Sequence, residues 1–301
     1  MAENRNAQQV REITDKLEQG LKELFESERF KEYLKTMSKF YNYSFNNTLL
    51  IAMQKPDATL IAGYTAWQRN FDRHVMKGEK GIKILAPAPY KVQEEREKLD
   101  PATQKPVLDK DGKPVTETVE VTRPAFKVVS VFDVSQTDGK ELPDIAVDEL
   151  TGSVENYAAF FDALKELSPV PIAFENITDG AKGYFSHVEN RIAIQEGMSE
   201  IQTIKTAIHE IAHAKLHAVT PGEKVAPEDK KDRRTKEVEA ESVAYTVCQR
   251  YGIETSDYSF GYIAGWSSDK ETKELKGSLE TIRKTAAEMI TGIDEKLKER
   301  L

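Results

Sequence analysis

The pentapeptide His209-Glu210-Ile211-Ala212-His213 is the sequence feature that most constrains how this chain folds. On an α-helix, positions four apart differ by about 40° in azimuth and about 6 Å in rise, so both imidazoles can face one metal ion. Glu210 projects about 100° away, where its carboxylate can hold a water molecule and accept its proton. Two neutral imidazoles, one carboxylate and an open position for water form the catalytic zinc pattern. The apolar flanks predict a helix over about residues 200–218.

A third ligand is required, and the segment Glu237-Val238-Glu239-Ala240-Glu241 supplies candidates on the next predicted helix. Glu237 and Glu241 share a helix face, whereas Glu239 is expected to point elsewhere. We predict one Zn²⁺ bound by His209, His213 and Glu237, with Glu241 accepting a proton from an imidazole N–H; the reverse order of the two glutamates stays open. His217 drifts a further 40° or so and is predicted to be buried or to support a ligand. The alternative is a solvated acidic face beside unrelated histidines.

Composition limits the class of protein. The chain has 301 residues, of which 39% are hydrophobic and 31% charged, which indicates a folded chain of about two domains. Cys248 is the single cysteine, so no internal disulfide forms and a reducing compartment is expected. No run of about 18 apolar residues and no apolar leader occurs, which predicts a cytoplasmic protein without a membrane partner.

The amino-terminal half combines aromatic and basic residues. The net charge of −8 argues against a generally polycationic nucleic-acid binder, but such averages hide local patches. Aromatic faces beside cations are what single-stranded nucleic acid requires, since bases stack and phosphates are neutralised. The alternative is that the aromatic residues form core and the lysines are merely solvated. The side chains assigned to a nucleic-acid interface are Tyr43, Asn46, Asn47, Tyr64, Trp67, Arg69, Arg73, Lys77, Lys80 and Lys83.

Periodicity and turn signals predict an α+β fold. An amino-terminal domain over 1–140 begins with one long helix over about 7–38 and contains a charged, exposed and mobile insertion at 93–122. A linker over 136–150 leads to a second domain over 151–265, with a hairpin at 183–194 before the metal helix. The hairpin either offers a free edge to an extended peptide or is purely structural. An amphipathic helix over 268–301 ends the chain.

Several motifs resemble a known family. The segments FNNTLLIAMQ, GYTAWQ, KGEKGIKILAP and VFDVSQ resemble the amino-terminal domain of ArdC-type antirestriction proteins, also found in LtrC-like proteins of conjugative elements. HEIAHAKLH with EVEAESVAY resembles the metallopeptidase domain of that family, which is similar to the ImmA/IrrE zincins. The resemblance implies a single-stranded DNA-binding domain followed by a gluzincin-like zinc domain built from a small sheet and the metal helix. It also implies zinc binding by His209, His213 and Glu237, and Glu210 as catalytic base.

Three functions follow as hypotheses. The first is an antirestriction protein that combines single-stranded DNA binding with a zinc-dependent peptidase acting on an unknown protein or peptide. The second is a non-catalytic protein that protects the strand and keeps a structural zinc site. The third is a peptidase that acts without DNA and uses its first half as a regulatory domain. The first is favoured because a structural site has no need of Glu210 beside an open coordination position.

Overall fold

The structure is a computed structural model. It describes residues 2–101, 103–142, 154–178, 180–218, 231–253, 260–268 and 270–300, together with Thr255 and Tyr258. The part of the predicted linker from residue 143 to 150 lies outside the described residues.

The described residues form a mixed helix and sheet fold, which confirms the α+β prediction. The helices are α1 (Ala2–Leu24), α2 (Ser27–Lys39), α3 (Phe45–Gln54), α4 (Tyr64–Phe71), α5 (Val154–Leu167), α6 (Glu200–His217), α7 (Arg233–Arg250), α8 (Ile263–Ser267) and α9 (Thr272–Lys298). The strands are β1 (Ile61–Gly63), β2 (Arg73–Val75), β3 (Ile82–Pro87), β4 (Tyr90–Glu97), β5 (Thr116–Arg123), β6 (Phe126–Asp133), β7 (Thr137–Gly139), β8 (Ile172–Glu175), β9 (Gly183–Ser186) and β10 (Arg191–Gln195). No helix among them is long and apolar enough to cross a membrane.

The described residues form two compact units. The smaller comprises the residues up to Lys16 and Lys83–Ser130, and the larger comprises those within Leu17–Ile82 and Val131–Leu301. Each unit is therefore built from two separate segments of the chain. The division at 1–140, 151–265 and 268–301 follows chain order and stays a prediction.

The long amino-terminal helix predicted over 7–38 is two helices. The break lies at Phe25 and Glu26, where Glu26 has an extended backbone conformation and begins α2. Phe25 is buried, and its ring lies 6.1 Å from that of Phe30 and 5.8 Å from that of Trp266. Helical periodicity runs through both segments and does not reveal this break, because the apolar residues on either side continue the same spacing.

The insertion predicted at 93–122 contains most of a regular antiparallel ribbon. Strands β4 and β5 pair continuously from Tyr90 opposite Arg123 to Glu97 opposite Thr116. Most side chains of the ribbon are exposed, as predicted, and Gly112 near its tip has a positive φ of 77°. Alternating charged and β-branched residues can therefore form a ribbon without a buried core.

The region that carries the metal motif is a small sheet covered by helices. Strand β10 lies centrally, parallel to β8 and antiparallel to β9, so β9 is an edge strand; the hairpin predicted at 183–194 is confirmed. Helix α6 packs on β9, β10 and α7. It begins where Ser199 accepts a hydrogen bond from the backbone of Gln202, the N-cap arrangement that satisfies a free helix donor.

The carboxyl-terminal helix α9 belongs to this core. It packs against α5 and α7, and its apolar stripe is buried. The hydroxyl of Tyr251 in turn donates to the backbone oxygen of Ile290 and to the carboxylate of Asp294. The amphipathic pattern predicted from the sequence is confirmed, and its partner is the chain itself.

Candidate metal centre

Three side chains from two helices converge on one point. His209 and His213 project from α6 and Glu237 from the first turns of α7, and one ligand atom of each lies within 4.8 Å of the others. The two imidazole Nε2 atoms are 3.1 Å apart. An oxygen of Glu237 lies 3.6 Å from Nε2 of His209 and 3.5 Å from Nε2 of His213.

This triangle fits one divalent ion. In a tetrahedral site with bonds of about 2.0–2.1 Å, ligand atoms lie about 3.3–3.4 Å apart. The three observed separations bracket that value, so the nitrogen and oxygen donors form one face of a tetrahedron. The site is therefore of the kind that binds a divalent metal and leaves a fourth position free.

Glu210 is positioned by the edge strand. It is buried, with 7% of its surface exposed, and its carboxylate accepts a hydrogen bond from the backbone N–H of Phe185 in β9. Burial raises the pKa of the Glu210 carboxyl, although the neighbouring His209 and His213 act in the opposite direction. This carboxylate can therefore hold and accept a proton beside the metal triangle.

The pKa values of the triangle show how strongly its members interact. Burial opposes protonation of His209, but the hydrogen bond with Glu237 and the charges of Glu210 and Glu237 outweigh burial and raise the pKa of the imidazole. The contacts with His209 and His213 hold the pKa of the Glu237 carboxyl far below its usual range. The carboxylate is consequently charged, as a metal ligand must be.

Gly183 allows β9 to approach α6 closely. A Cβ atom at this position would lie 2.5 Å from the side-chain methyl of Thr206 and 2.9 Å from the carbonyl oxygen of Ala193. It would also lie 3.4 Å from Cγ of Glu210. Only glycine lets the strand pass this near to the motif helix.

Behind the triangle, His217 contacts His213 rather than the ion position. Nδ1 of His213 lies 3.0 Å from Nδ1 of His217, and Nε2 of His217 lies 3.0 Å from the carboxylate of Glu239. Glu239 is fully buried and also forms an ion pair with Lys231 at 2.7 Å. Burial lowers the pKa of His217, although the hydrogen bond with Glu239 acts in the opposite direction.

Glu239 is the residue that sequence reasoning missed. Glu239 does project away from Glu237, as expected, but its side chain is buried in the core rather than exposed to solvent. A usable signal was present, because Glu239 shares a helix stripe with Thr235, Ser242 and Thr246, which are all buried. A carboxylate on such a stripe requires a partner, and His217 faces it from α6.

Glu241 has a different environment from Glu237. It lies one turn further along α7 and accepts a hydrogen bond from the hydroxyl of Tyr262. Of the two candidate ligands, Glu237 is the one that the fold brings to the imidazoles. Among the tyrosines that could stabilise an oxyanion, Tyr258 lines the same cavity as His209, whereas Tyr245 is buried.

Two adjoining cavities open at the site. One, of about 530 Å³, is lined by β9, His187 and the metal triangle, with Lys231, Arg233 and Lys236 at its rim. The other, of about 350 Å³, is lined by Lys182, Gln202, Lys205 and Tyr258 among others. Gly183, His209 and Glu210 line both, so the cavities meet at the motif.

The residues assigned to a nucleic-acid interface fall into different environments. Those with exposed side chains are Asn46, Tyr64, Arg69, Lys77, Lys80 and Lys83. Tyr43 and Asn47 are half-buried, and Tyr43 packs against Phe40.

Trp67 and Arg73 have structural contacts instead. Trp67 is fully buried, and its indole N–H donates to the backbone oxygen of Phe132, so its ring is not accessible to a base. Arg73 donates to the hydroxyl and carbonyl oxygens of Thr137 and to the carbonyl oxygen of Lys140. Its guanidinium thus joins β2 to β7, and sequence composition cannot distinguish this from a phosphate contact.

Comparison with known proteins defines the class of both halves. Residues 4–132 match the N-terminal domain of the anti-restriction factor ArdC, and residues 168–251 match the IrrE N-terminal-like domain of peptidase family M78. The chain thus joins an ArdC-type domain to a domain of a metallopeptidase family. This combination and order of domains is the one that the sequence motifs predicted for an ArdC-type antirestriction protein.

Individual relatives are similar to nearly all of the chain or to about half of it. The chain is 29% identical to an uncharacterised Bacillus anthracis protein, over 97% of this chain and 52% of the relative. It is 34% identical to the DNA primase TraC of Escherichia coli, over 46% of this chain and 12% of the relative. The chain therefore spans about half or less of these curated relatives.

Solved structures of the antirestriction ArdC protein from plasmid R388 are also similar. The metal-free structure is 22% identical with a TM-score of 0.48, covering 85% of this chain and 84% of that one. The Mn(II)-bound structure is 21% identical with a TM-score of 0.47, covering 86% of each chain.

Proposed function

We propose that this chain is a metal-dependent peptidase that also binds single-stranded DNA and acts in antirestriction. The observation that supports it best is the triangle of His209, His213 and Glu237 beside the buried carboxylate of Glu210. We assign one Zn²⁺ to the triangle and an unidentified protein or peptide as substrate. We assign the cytoplasm, where Cys248 stays reduced, as the setting.

The chemistry follows from the donors present. When bound, the ion supplies Lewis-acid chemistry, since it polarises a carbonyl group and lowers the pKa of a water molecule. Glu210 accepts the proton of the attacking water and later delivers it to the leaving amine. Its hydrogen bond from Phe185 holds the carboxylate in place during both steps.

The edge strand provides a binding surface for an extended substrate. Within the described part of the chain, strand β9 pairs with β10 on one side only, and it lines the cavity that contains the triangle. A peptide that adds to β9 forms backbone hydrogen bonds with the strand, and its side chains enter the flanking cavities. Such binding aligns the scissile bond with Glu210 without requiring a particular sequence.

The ArdC-type domain is assigned to single-stranded DNA. Exposed Tyr64 can stack on a base, and exposed Arg69, Lys77 and Lys80 can neutralise phosphates. The match of residues 4–132 to an anti-restriction factor supports this assignment. TraC, to which part of the chain is similar, is by its name a DNA primase.

Replacing Glu210 tests the enzymatic claim. Glu210→Gln keeps the shape of the side chain but cannot accept the proton, so we expect loss of cleavage by at least about a hundredfold. Wild-type and variant proteins with equal zinc content are incubated with a proteome-derived peptide library, and new termini are identified by mass spectrometry. Glu295→Gln, an exposed change on α9, is the matched control and should cleave like the wild type.

The outcome separates the hypotheses. Cleavage by the wild type and not by Glu210→Gln supports the peptidase. No cleavage by either protein, together with unchanged single-strand protection from nuclease, would favour the non-catalytic binding protein. Cleavage without any affinity for single strands in filter binding would favour the peptidase with a regulatory first half.

A further inference from the structure

The groups behind His213 form a continuous chain of hydrogen bonds into the core. Lys231 pairs with Glu239 at 2.7 Å, Glu239 contacts Nε2 of His217 at 3.0 Å, and Nδ1 of His217 contacts Nδ1 of His213 at 3.0 Å. The side chain of His217 is 2% exposed and that of Glu239 is 0% exposed. Solvent therefore does not compete for the contact between His217 and Glu239.

The direction of each hydrogen bond follows from counting protons. The carboxylate of Glu239 can only accept, so Nε2 of His217 carries the hydrogen. In a neutral imidazole the other nitrogen is then a bare acceptor. Nδ1 of His217 must consequently accept from Nδ1–H of His213, which leaves Nε2 of His213 without a hydrogen.

That bare nitrogen is the one in the metal triangle. Nε2 of His213 lies 3.1 Å from Nε2 of His209 and 3.5 Å from Glu237. We propose that Glu239, acting through His217, fixes His213 in the tautomer and orientation that present its Nε2 lone pair to the metal. Glu239 and His217 are positioning residues, and this inference rests on the metal site of the proposed function.

Three parts of the fold supply the groups that hold the buried end of this series of hydrogen bonds. Glu239 lies on α7 and Lys231 just before it, and Ser278 of α9 also donates to the Glu239 carboxylate. The carboxyl-terminal helix thus contributes a hydrogen bond two side chains away from a metal ligand. A buried charge held by several donors cannot rotate away, so the orientation is passed on to the imidazoles.

A purely structural role for the pair is the competing explanation. Apolar residues of similar size replace buried ion pairs without loss of stability in many proteins, so stability alone gives no reason for this arrangement. The two explanations differ in what they predict for the His213 tautomer and for metal affinity. Both quantities can be measured whether or not the protein cleaves peptides.

The tautomer is measured in the metal-free, full-length protein by two-bond ¹H–¹⁵N correlation of the histidine rings, at a pH well above the ordinary imidazole pKa. We expect His213 to carry its hydrogen on Nδ1 and His217 to carry it on Nε2. In His217→Leu the signals of His213 should change to the other tautomer or to a mixture. A wild-type His213 protonated on Nε2 would overturn the proposal.

Metal affinity is measured by competition of Zn²⁺ between the protein and a chromophoric chelator. His217→Leu removes the acceptor and should weaken binding about 10- to 100-fold. His217→Asn places an amide oxygen where Nδ1 stood and should restore most of the affinity, whereas His217→Gln should not. Val243→Ala on α7 opens a cavity in the buried core at a residue that is not a member of the hydrogen-bonded chain, and it controls for loss of stability.

These measurements distinguish failure of the positioning role from failure of the proposed peptidase function. Weaker metal binding by His217→Leu but not by Val243→Ala supports the positioning role, even if no peptide is cleaved. Equal affinity of His217→Leu and the wild type, or equal effects of the Asn and Gln variants, would refute it. Absence of any Zn²⁺ affinity in the wild type would contradict both the positioning role of His217 and the proposed peptidase function.

Discussion

Two glutamates on one helix face have different roles in this site. Glu237 reaches the imidazoles, while Glu241 one turn later meets the hydroxyl of Tyr262. The spacing of four residues made them equivalent in the sequence. Their different neighbours arise from the tertiary packing of α7 against other parts of the fold, which no local pattern encodes.

This difference predicts unequal effects of the same substitution. Glu237→Gln removes the charged donor from the triangle and should lower Zn²⁺ affinity by at least about a hundredfold, whereas Glu241→Gln should change it by less than about tenfold. Chelator competition on both variants gives the answer. The reverse ranking would make Glu241 the ligand.

Asp133 illustrates how a single buried carboxylate organises the amino-terminal part of the larger unit. Its side chain accepts backbone N–H groups of Thr59 at 2.7 Å, Leu60 at 3.1 Å and Ser135 at 2.9 Å. Burial raises the pKa of Asp133, but these hydrogen bonds outweigh burial and lower it below its usual value. Asp133 of the VFDVSQ motif therefore has a structural role.

Asp133→Asn should destabilise the protein in a pH-dependent way. Because the native pKa is lowered, the carboxylate stabilises the fold above the ordinary aspartate pKa, and this contribution disappears as the pH falls through the native value. We expect a loss of about 1.5–3 kcal/mol in the free energy of unfolding at neutral pH. Denaturant titrations from neutral to acidic pH check this, and a difference that does not shrink on acidification would contradict it.

At the scale of elements, the contact between β9 and α6 determines the geometry of the motif. Gly183 lets the strand approach, and Phe185 two residues later binds Glu210. The edge strand is thus fixed relative to the Glu210 carboxylate. An added methyl group at Gly183 cannot be absorbed easily, since one of its neighbours would be the backbone oxygen of Ala193.

Gly183→Ala should therefore separate β9 from α6. We expect a loss of about 1–3 kcal/mol in stability and a larger fall in peptide cleavage than in Zn²⁺ affinity, because the triangle lies on α6 and α7. Gly277→Ala on α9, where an added Cβ meets nothing within 4 Å, is the matched control and should be neutral or stabilising. Wild-type cleavage by Gly183→Ala would show that β9 does not position Glu210.

Local patterns predicted the elements better than their junctions. The hairpin at β9 and β10, the motif helix and the stripe of α9 follow directly from periodicity and turn residues. The break at Phe25 depends on contacts with Trp266, more than two hundred residues away, and a period cannot show it. The burial of Glu239 and Trp67 is likewise decided by tertiary packing rather than by residue type.

At the scale of the whole molecule, the protein and its proposed partner, single-stranded DNA, both carry a net negative charge. The net charge is −8, so any affinity for DNA must come from local cations and not from the average field. The exposed Lys77 and Lys80 in the loop after β2 are candidates. The side-chain amide of Gln136 holds this loop by donating to Glu79 and to the backbone of Lys80.

Neutralising these cations should alter the salt dependence of binding. The double change Lys77→Ala and Lys80→Ala should reduce the slope of log K against log salt by up to about 1.4, since each phosphate contact on a single strand contributes about 0.7. Filter binding of an oligonucleotide across a salt series measures this slope. The control is the double change Lys273→Ala and Lys298→Ala on α9. An unchanged slope for the variant of Lys77 and Lys80 would exclude these two lysines as phosphate contacts.

The convergence of α6 and α7 on one metal ion is the claim from which the peptidase proposal and the positioning role both follow. A crystal of the zinc-loaded full-length protein, measured on both sides of the zinc absorption edge, locates the ion without reference to activity. We predict a single anomalous peak about 2.0–2.2 Å from Nε2 of His209, Nε2 of His213 and a carboxylate oxygen of Glu237. A peak at any other position, or none in a crystal grown with saturating zinc, would contradict the account.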